Sequence, residues 1–314
     1  MKSKRIAIVG AGATGLFYGA RLALAGHQVA LLVRGGLDEI RARGVSVREP
    51  GTAWNVPPER FLATNNPREI GAVDLVLVTL KTTGNATLRD NLPPLLGPET
   101  PVVTLQNGLG NEAFIAQITG PERVLGGLCF IAVTRASAAE LAGFSVPGNI
   151  TLGEWRGADL TRADAIARLL SDAGVPSRAT PRLAEARWKK LVWNIPFNGL
   201  SVAAGGVTTD VICETPSLAA EARALMREVV ASAAACGIEI PEAFCDAQWR
   251  VTTTMGAYKP SSLVDFLAGR ELELEAIWGE PLRLAKTAGA QTPLLEKLYE
   301  TLKKLPTAPT PSVS

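Results

Sequence analysis

Three polar side chains, spaced four residues apart, interrupt an apolar segment in the second half of the chain. They are Lys190, Asn194 and Asn198, within the run from Leu183 to Asn198. Residues four apart lie on one face of a helix, so the ammonium and the two amides form a row. A buried polar group costs free energy unless it is paired, and the row therefore predicts a ligand or a polar network. A solvated helix face is the alternative, which the apolar neighbours disfavour.

A second candidate site lies near the start of the sequence, where an apolar run passes into closely spaced glycines. The run Ile6–Val9 predicts a strand, and residues 16–25 predict a helix that ends at Gly26. The turn between them has the spacing G-x-G-x-x-G and consists of Gly10, Ala11, Gly12, Ala13, Thr14 and Gly15. Its first glycine makes the bend, the second admits a pyrophosphate, and the third lets the helix pack closely on the strand. We predict a dinucleotide at the helix N-terminus; a purely structural glycine turn is the alternative.

Polar residues also follow the ends of the later apolar strands. Arg34, Lys81 and Gln106-Asn107-Gly108 each come directly after such a strand. The carboxyl ends of parallel strands meet at one edge of a sheet, where ligands bind, so these residues should line the same crevice as the glycine turn. A solvated lysine at 81 and a simple turn residue at 107 are the alternatives.

The residue type at position 34 indicates which dinucleotide binds. An NAD site places Asp or Glu about 20 residues beyond the glycines, on the ribose 2′-hydroxyl. Here Asp38 and Glu39 come later, and Arg34 offers a planar guanidinium that suits a 2′-phosphate. We therefore predict NADP(H), with a solvated loop arginine as the alternative.

The order of the apolar segments predicts two domains. Strands with few polar interruptions alternate with helices over residues 1–178, which predicts an α/β, Rossmann-type doubly wound parallel sheet. Residues 179–305 predict an all-α C-terminal domain, and residues 306–314, rich in proline, threonine and serine, predict a disordered tail.

Local patterns add further expectations within the two domains. Residues 144–152 predict a hairpin, and Asn85–Leu92 predicts a helix. Ser217 is a candidate N-cap, and Ser261-Ser262 should lie in a turn. A helix should begin at Arg270, where the alternating Glu271, Glu273 and Glu275 cannot share a face, so that one carboxylate can point inward while the others are solvated.

Composition narrows the class of protein. The 314 residues are 47% apolar and 20% charged, with a net charge of +2 and no dense basic patch, which disfavours a nucleic-acid binder. One histidine and four cysteines without C-x-x-C spacing make a metal site improbable and favour reduced thiols. No apolar run reaches the roughly 20 residues that span a bilayer. We expect a cytoplasmic protein without a membrane partner, and the apolar helical domain is compatible with a homodimer.

Taken together, these motifs resemble those of the ketopantoate reductase (2-dehydropantoate 2-reductase) family over nearly the full chain. The matching features, in order, are the Gly10–Gly15 turn, Arg34, Leu80-Lys81, Gln106-Asn107-Gly108, the Lys190-Asn194-Asn198 row, Ser261-Ser262 and Glu273. The resemblance implies NADPH-dependent reduction of a 2-oxo acid to a 2-hydroxy acid. For ketopantoate the product is pantoate, an intermediate in pantothenate and coenzyme A synthesis.

The resemblance also implies roles for individual residues. Lys190 would be the general acid at the carbonyl oxygen, and Glu273 would place the ammonium and the substrate or the nicotinamide ribose. Asn194 and Asn198 would bind the substrate hydroxyl and carbonyl groups, and Ser262 its carboxylate. Lys81 and Asn107 would line the junction of cofactor and substrate, and Arg34 would hold the 2′-phosphate.

One segment departs from the family pattern. The second asparagine is often followed by proline in the family, whereas this chain has Asn198-Gly199 and an earlier Pro196. A related reductase of another oxo or hydroxy acid is therefore an alternative to ketopantoate reduction. A nucleotide-binding protein without catalysis is a separate alternative, which Lys190 and Glu273 disfavour.

Overall fold

The computed structural model describes residues 2–305, with the side chains of 144–147 excepted. The chain forms two compact units. The first contains the residues up to Gln106 and Asn111–Leu183, and the second contains Asn107–Gly110 and the residues from Ala184 onward. The short stretch Asn107–Gly110 thus groups with the helical unit, although the division expected at residue 178 places it in the first domain. The tail expected at 306–314 lies outside the described residues.

One sheet organises the first unit. Its strands are β1 (Arg5–Val9), β2 (Gln28–Leu32), β3 (Val45–Glu49), β4 (Thr52–Val56), β5 (Phe61–Thr64), β6 (Leu75–Val78), β7 (Val102–Thr104), β8 (Val124–Arg135), β9 (Glu140–Glu154) and β10 (Ser177–Ala179). Their spatial order is β4-β3-β9-β8-β7-β6-β1-β2-β5, with β10 paired to β9. The pairs β3–β4 and β8–β9 are antiparallel, and the other strand pairs are parallel.

The central strand β1 shows why the sheet is covered on both faces. Ile6 and Ile8 belong to a core that includes Leu16 of the following helix. Ala7 and Val9 point the other way, into a second core. Alternate residues of a strand face opposite sides, so a continuous apolar run needs helices on both. The predicted α/β, doubly wound class is confirmed, as a parallel-dominated mixed sheet.

The helices of the first unit lie between the strands in sequence. They are α1 (Ala13–Leu24), α2 (Leu37–Arg43), α3 (Pro67–Ile70), α4 (Leu88–Asn91), α5 (Asn111–Thr119) and α6 (Thr161–Asp172). The helix expected over Asn85–Leu92 is instead a 3₁₀ segment, Thr82–Thr87, followed by α4.

The second unit is helical, which confirms the predicted C-terminal architecture. Its helices are α7 (Leu183–Ala203), α8 (Thr209–Glu214), α9 (Pro216–Ala235), α10 (Glu242–Thr252), α11 (Ser261–Leu267), α12 (Glu280–Thr287) and α13 (Pro293–Lys304). Val192, Ile195, Phe197 and Trp278 are fully buried in its core. No helix within residues 2–305 has the length and apolar composition needed to cross a membrane.

The hairpin expected at 144–152 is wrong. These residues belong to the single strand β9, which pairs with β8. The pairing jumps from Phe130↔Asn149 to Ala132↔Ser145. The extra residues oppose Ile131 at this point, and Gly148 there has φ +70°. The proline-glycine signal therefore marks a bulge and not a reversal of the chain.

Three expected boundaries in the second unit are also wrong. The N-cap of α9 is Thr215 and not Ser217, because Pro216 takes the first helical position, where its missing N–H has no cost. Ser261 and Ser262 lie in the first turn of α11 and not in the turn before it. The helix expected from Arg270 begins at Leu274. It opens with a π turn, Glu275–Gly279, that continues into α12.

Candidate functional site

The glycine turn after β1 has a separate steric reason for each glycine. Gly10 has φ +106°, and a Cβ there would lie 2.3 Å from the backbone nitrogen of Leu80. A Cβ on Gly15 would lie 2.2 Å from the carbonyl oxygen of Gly10, so the start of α1 packs directly on the turn. A Cβ on Gly12 would meet no protein atom within 4 Å. The first and third glycines are required by the fold, whereas the second leaves space that a ligand can enter.

The N-terminus of α1 opens onto this space. Gly12 is its N-cap and supplies no side-chain cap, and the first turn carries no acidic residue. The first N–H groups of a helix have no partner within the helix and carry its positive end. Thr79, just after β6, fixes the turn by donating a hydrogen bond from its hydroxyl to the Gly10 carbonyl at 2.7 Å. These residues fit the pyrophosphate of a dinucleotide.

The loop after β2 leaves a cation exposed and engages its nearest carboxylate. Arg34 is exposed, whereas Glu39 Oε1 accepts a hydrogen bond of 2.6 Å from the Ser137 hydroxyl. That hydroxyl holds the pKa of Glu39 below its ordinary value. Arg135 secures the same loop by donating to the carbonyl of Gly35 at 3.4 Å and to that of Ala138 at 2.7 Å. This end of the sheet therefore presents the Arg34 guanidinium, while Glu39 is engaged and Asp38 is exposed in the first turn of α2.

A chain of amides ties together the ends of β6 and β7. Gln106 Nε2 donates to the Leu80 carbonyl at 2.9 Å and to Asn85 Oδ1 at 2.7 Å. Asn85 Nδ2 in turn donates to Asn111 Oδ1 at 3.2 Å. Lys81 follows Leu80, is exposed, and precedes the 3₁₀ segment. Asn85 and Asn111 were missed in the sequence, where their only signal is an amide a few residues beyond a strand end.

In the second unit, the polar row on α7 forms as the spacing predicts. Lys190 is half-buried, and its Nζ donates to Asn107 Oδ1 at 2.9 Å. Asn194, one turn further along, is 7% exposed, and its amide has no hydrogen-bond partner among the described residues. An amide that is nearly buried yet unpaired is suited to a ligand, since pairing recovers the free energy that burial costs.

The third member of the row, Asn198, holds the start of α11. It is 1% exposed, and its Oδ1 accepts from the Ser262 backbone N–H at 2.9 Å and from the Ser261 hydroxyl at 3.3 Å. Pro260, the N-cap of α11, provides no side-chain cap, and Asn198 of α7 caps the helix in its place. Ser262 is itself buried, at 3% exposure, and carries its hydroxyl at this position. Asn198 thus fixes where that hydroxyl lies.

Glu273 is the inward member of the three alternating glutamates, as the sequence leads us to expect. It is 7% exposed, whereas Glu271 and Glu275 are exposed. It precedes the π turn that opens α12, and π turns are frequent at functional sites. The structure therefore pairs Lys190 with Asn107 and joins Asn198 to Ser262, while Gly10–Gly15, Arg34 and Lys81 belong to the other unit.

No cluster of His, Cys, Asp or Glu within residues 2–305 is arranged to hold a metal ion. The chemistry that the two sets of residues offer is anion binding, hydrogen bonding and proton donation. A lysine ammonium held beside an amide oxygen can donate a proton, and unpaired amide and hydroxyl groups can orient a polar substrate.

Comparison with known proteins assigns the chain to a family. The sequence profile described as "Ketopantoate reductase PanE/ApbA" matches residues 6–157, and the profile of the corresponding C-terminal domain matches residues 182–306. A 2-dehydropantoate 2-reductase from a Nostoc species is 35% identical over 97% of this chain and 96% of its own. One from Mesorhizobium japonicum is 28% identical over 96% of this chain and 97% of its own.

Solved structures agree with the sequence matches. The 2-dehydropantoate 2-reductase of Geobacter metallireducens has a TM-score of 0.92 and 39% identity, covering 96% of this chain and 99% of that protein. A D-mandelate dehydrogenase solved with NADH and anilino(oxo)acetate shares the fold, with a TM-score of 0.87, 22% identity, and coverage of 95% of this chain and 97% of that protein. Since both profiles match and the relatives align over nearly their whole lengths, this chain belongs to the ketopantoate reductase family of oxidoreductases.

Proposed function

We propose that this enzyme reduces 2-dehydropantoate (ketopantoate) to pantoate with NADPH, a step of pantothenate and coenzyme A biosynthesis. The observation that carries the proposal is the row on α7. Along one helix face follow the Lys190 ammonium, the amide of the nearly buried Asn194, and the Asn198 amide, which holds the backbone of the buried Ser262. The names of the relatives that align over the whole chain support the same substrate.

Ketopantoate presents a carboxylate, an adjacent carbonyl and a terminal hydroxyl, which together match these groups. Ser262 would bind the carboxylate, and Asn194 and Asn198 would bind the hydroxyl and carbonyl oxygens. Asn194 is the strongest support, because the residue is nearly buried and its amide makes no hydrogen bond to another of residues 2–305. A site built to bind a substrate hydroxyl rejects analogues that lack it, since its own polar groups are then left unpaired.

Lys190 would act as general acid at the substrate carbonyl. When bound, the nicotinamide cofactor supplies the hydride to the carbonyl carbon. Lys190 Nζ donates a proton to the carbonyl oxygen, so that C=O becomes CH–OH, and the ammonium stabilises the negative charge that develops on the oxygen. Its bond of 2.9 Å to Asn107 Oδ1 fixes the direction of Nζ. Glu273 would help to place the ammonium and the substrate or the nicotinamide ribose.

Residues of the first unit, together with Asn107 of the second, would bind the cofactor as NADPH. The turn Gly10–Gly15 would hold the pyrophosphate, Arg34 the 2′-phosphate, and Lys81 and Asn107 the nicotinamide end. Support for the 2′-phosphate comes from the exposed guanidinium of Arg34 directly after β2, beside which Glu39 is engaged by Ser137. Replacing Arg34 by Ala should raise the KM for NADPH about 10- to 100-fold and leave that for NADH nearly unchanged.

Arg48 offers a matched control for this loss of charge. It is an exposed arginine of β3 that pairs with Glu140. Arg48→Ala should leave the ratio of the two KM values as in the wild type. An Arg34→Ala enzyme that keeps its preference for NADPH would exclude the assigned role.

The substrate is tested by steady-state NADPH oxidation with a set of 2-oxo acids. We expect ketopantoate to be the best substrate. The analogue 3,3-dimethyl-2-oxobutanoate differs only in lacking the terminal hydroxyl and should lose about 10³- to 10⁴-fold in kcat/KM. A higher kcat/KM for another 2-oxo acid would assign the enzyme to the related reductases instead. NADPH binding without turnover of any acid would indicate a non-catalytic protein.

Lys190→Ala should lower kcat about 10²- to 10⁴-fold while NADPH still binds. The neighbouring Lys189 is the control, because its ammonium pairs with Glu185 at 2.6 Å and lies on another face of α7. Lys189→Ala should retain the wild-type kcat. Equal losses in the two variants would show a general effect of charge and not proton donation.

The cellular location and the oligomeric state of the enzyme are also proposals. We place it in the cytoplasm, since its four cysteines are free and a reducing compartment keeps them so. Native mass measurement of the purified protein tests whether it is a homodimer.

A further inference from the structure

We propose that the π turn Glu275–Gly279 positions the Asn107 side chain, and through it the proton donor Lys190. The inference rests on the proposed reaction and extends it to residues that touch neither substrate nor cofactor. Its starting point is a backbone contact between the turn and the short loop Asn107–Gly110. The Leu109 N–H donates to the Ala276 carbonyl at 2.9 Å.

Gly108 shows how closely the two backbones approach. It has φ +81°, and a Cβ there would lie 2.1 Å from the Ala276 carbonyl oxygen and 2.8 Å from the Ala276 Cβ. Only glycine leaves room for this contact at this backbone conformation. The residue before Gly108 is Asn107, which accepts from Lys190 Nζ. The position of the Ala276 carbonyl therefore determines where Asn107 Oδ1 lies.

The π turn is itself fixed to the helix that carries Lys190. Trp278, in the middle of the turn, is fully buried, and its Nε1 donates to the Ile195 carbonyl of α7 at 3.0 Å. Ile195 follows Asn194 directly, so this bond reaches α7 inside the polar row. One turn of backbone thus holds both the loop with Asn107 and the helix with Lys190.

A hydrogen bond at the first residue of the π turn holds it from its exposed side. The Tyr299 hydroxyl donates to Glu275 Oε1 at 2.6 Å, and this bond raises the pKa of Tyr299 to about 12. Tyr299 therefore remains a donor throughout the range in which the enzyme is assayed. Arg283 lies 3.4 Å from the other oxygen of Glu275. Both oxygens of this carboxylate are thereby engaged.

The test variant is Gly108→Ala, and the chain offers a matched control. Gly237 has φ +79°, close to that of Gly108, but a Cβ there would meet nothing within 4 Å. Gly237→Ala therefore carries the same backbone strain without displacing a neighbour. We expect Gly108→Ala to lower kcat about 10²-fold, the loss typical of a misplacement of about 1 Å. Gly237→Ala should keep the wild-type kcat.

A double-mutant cycle separates positioning from general damage. If Gly108 acts through Asn107, adding Gly108→Ala to an Asn107→Ala enzyme should lower kcat no further. Losses of kcat that multiply in the double variant would overturn the proposal. The cycle can be run with whichever 2-oxo acid the wild type reduces. If that acid is not ketopantoate, the wild-type assay alone shows that the proposed substrate is wrong, and the cycle still tests the positioning role.

Amide hydrogen exchange at Leu109 gives a readout that needs no turnover. Trp278→Phe keeps a buried aromatic ring but removes the hydrogen bond to the Ile195 carbonyl. It is the second test variant if Gly108→Ala does not fold. We expect the Leu109 amide to be protected in the wild type and to exchange at least about tenfold faster in either variant. An unprotected Leu109 amide in the wild type, or equal protection in both variants, would contradict the proposed link.

Discussion

Asn198 and Asn194 lie one helical turn apart, and the structure predicts that substitution of Asn198 destabilises the protein whereas substitution of Asn194 leaves its stability nearly unchanged. Asn198→Ala removes the acceptor of the Ser262 N–H, which is buried at the start of α11. A buried donor left without a partner costs about 1–3 kcal/mol. The lost bond to Ser261 adds little, because that residue is exposed and its hydroxyl can bond to water. The free energy of unfolding should therefore fall by about 2 kcal/mol.

Asn194→Ala removes an amide that has no partner among the described residues. Its free energy of unfolding should stay within about 1 kcal/mol of the wild type. Both variants should raise the KM for the 2-oxo acid, Asn194→Ala by loss of a direct contact and Asn198→Ala through displacement of Ser262 as well.

Urea unfolding with an unchanged m-value measures the two stabilities, and steady-state kinetics measures the two KM values. The reasoning is refuted if Asn198→Ala is as stable as the wild type. It is equally refuted if Asn194→Ala loses as much stability as Asn198→Ala, since Asn194 would then have a structural partner.

Two further predictions concern the first unit. Gly12→Ala should change the free energy of unfolding by less than about 1 kcal/mol but abolish NADPH binding. Gly15→Ala, whose Cβ would meet the Gly10 carbonyl, should destabilise the protein by about 1–3 kcal/mol. Thermal unfolding and NADPH titration of both variants test this contrast. Burial lowers the pKa of His27 from its ordinary 6.5, and its Nδ1 accepts from the Lys4 N–H at 3.2 Å. The unfolded chain then binds a proton that the native state does not bind, so the free energy of unfolding should fall as the pH drops below about 6.5. His27→Gln removes the only histidine and should abolish this part of the pH dependence. An unchanged pH dependence of urea unfolding in His27→Gln would contradict the prediction.

The parts of the fold that sequence reasoning predicts are those set by local pattern. The strand β1, the glycine turn and α1 are contiguous, and the first and third glycines have steric reasons within the turn or just beyond the neighbouring strand. The row on α7 likewise follows from helical spacing alone. The inward Glu273 could be predicted as one of three, because alternation excludes a shared face.

The partners of these residues could not be predicted in the same way. Asn198 and Ser262 are 64 residues apart in sequence, and Lys190 and Asn107 are 83 apart. Their contacts depend on how helices pack, which no local pattern encodes. The π turn escaped notice for a related reason, since it widens the helix locally and a period of 3.6 residues does not reveal it. The bulge at Gly148 was mistaken for a reversal because proline and glycine signal both.

The central claim is the transfer of hydride from NADPH to ketopantoate. It is tested most directly by supplying NADPH deuterated at the transferable C4 position and analysing the product by mass spectrometry and NMR. We predict pantoate carrying one deuterium at C2, formed in a 1:1 ratio with NADP⁺. Oxidation of NADPH without pantoate, or pantoate without deuterium at C2, would contradict the account.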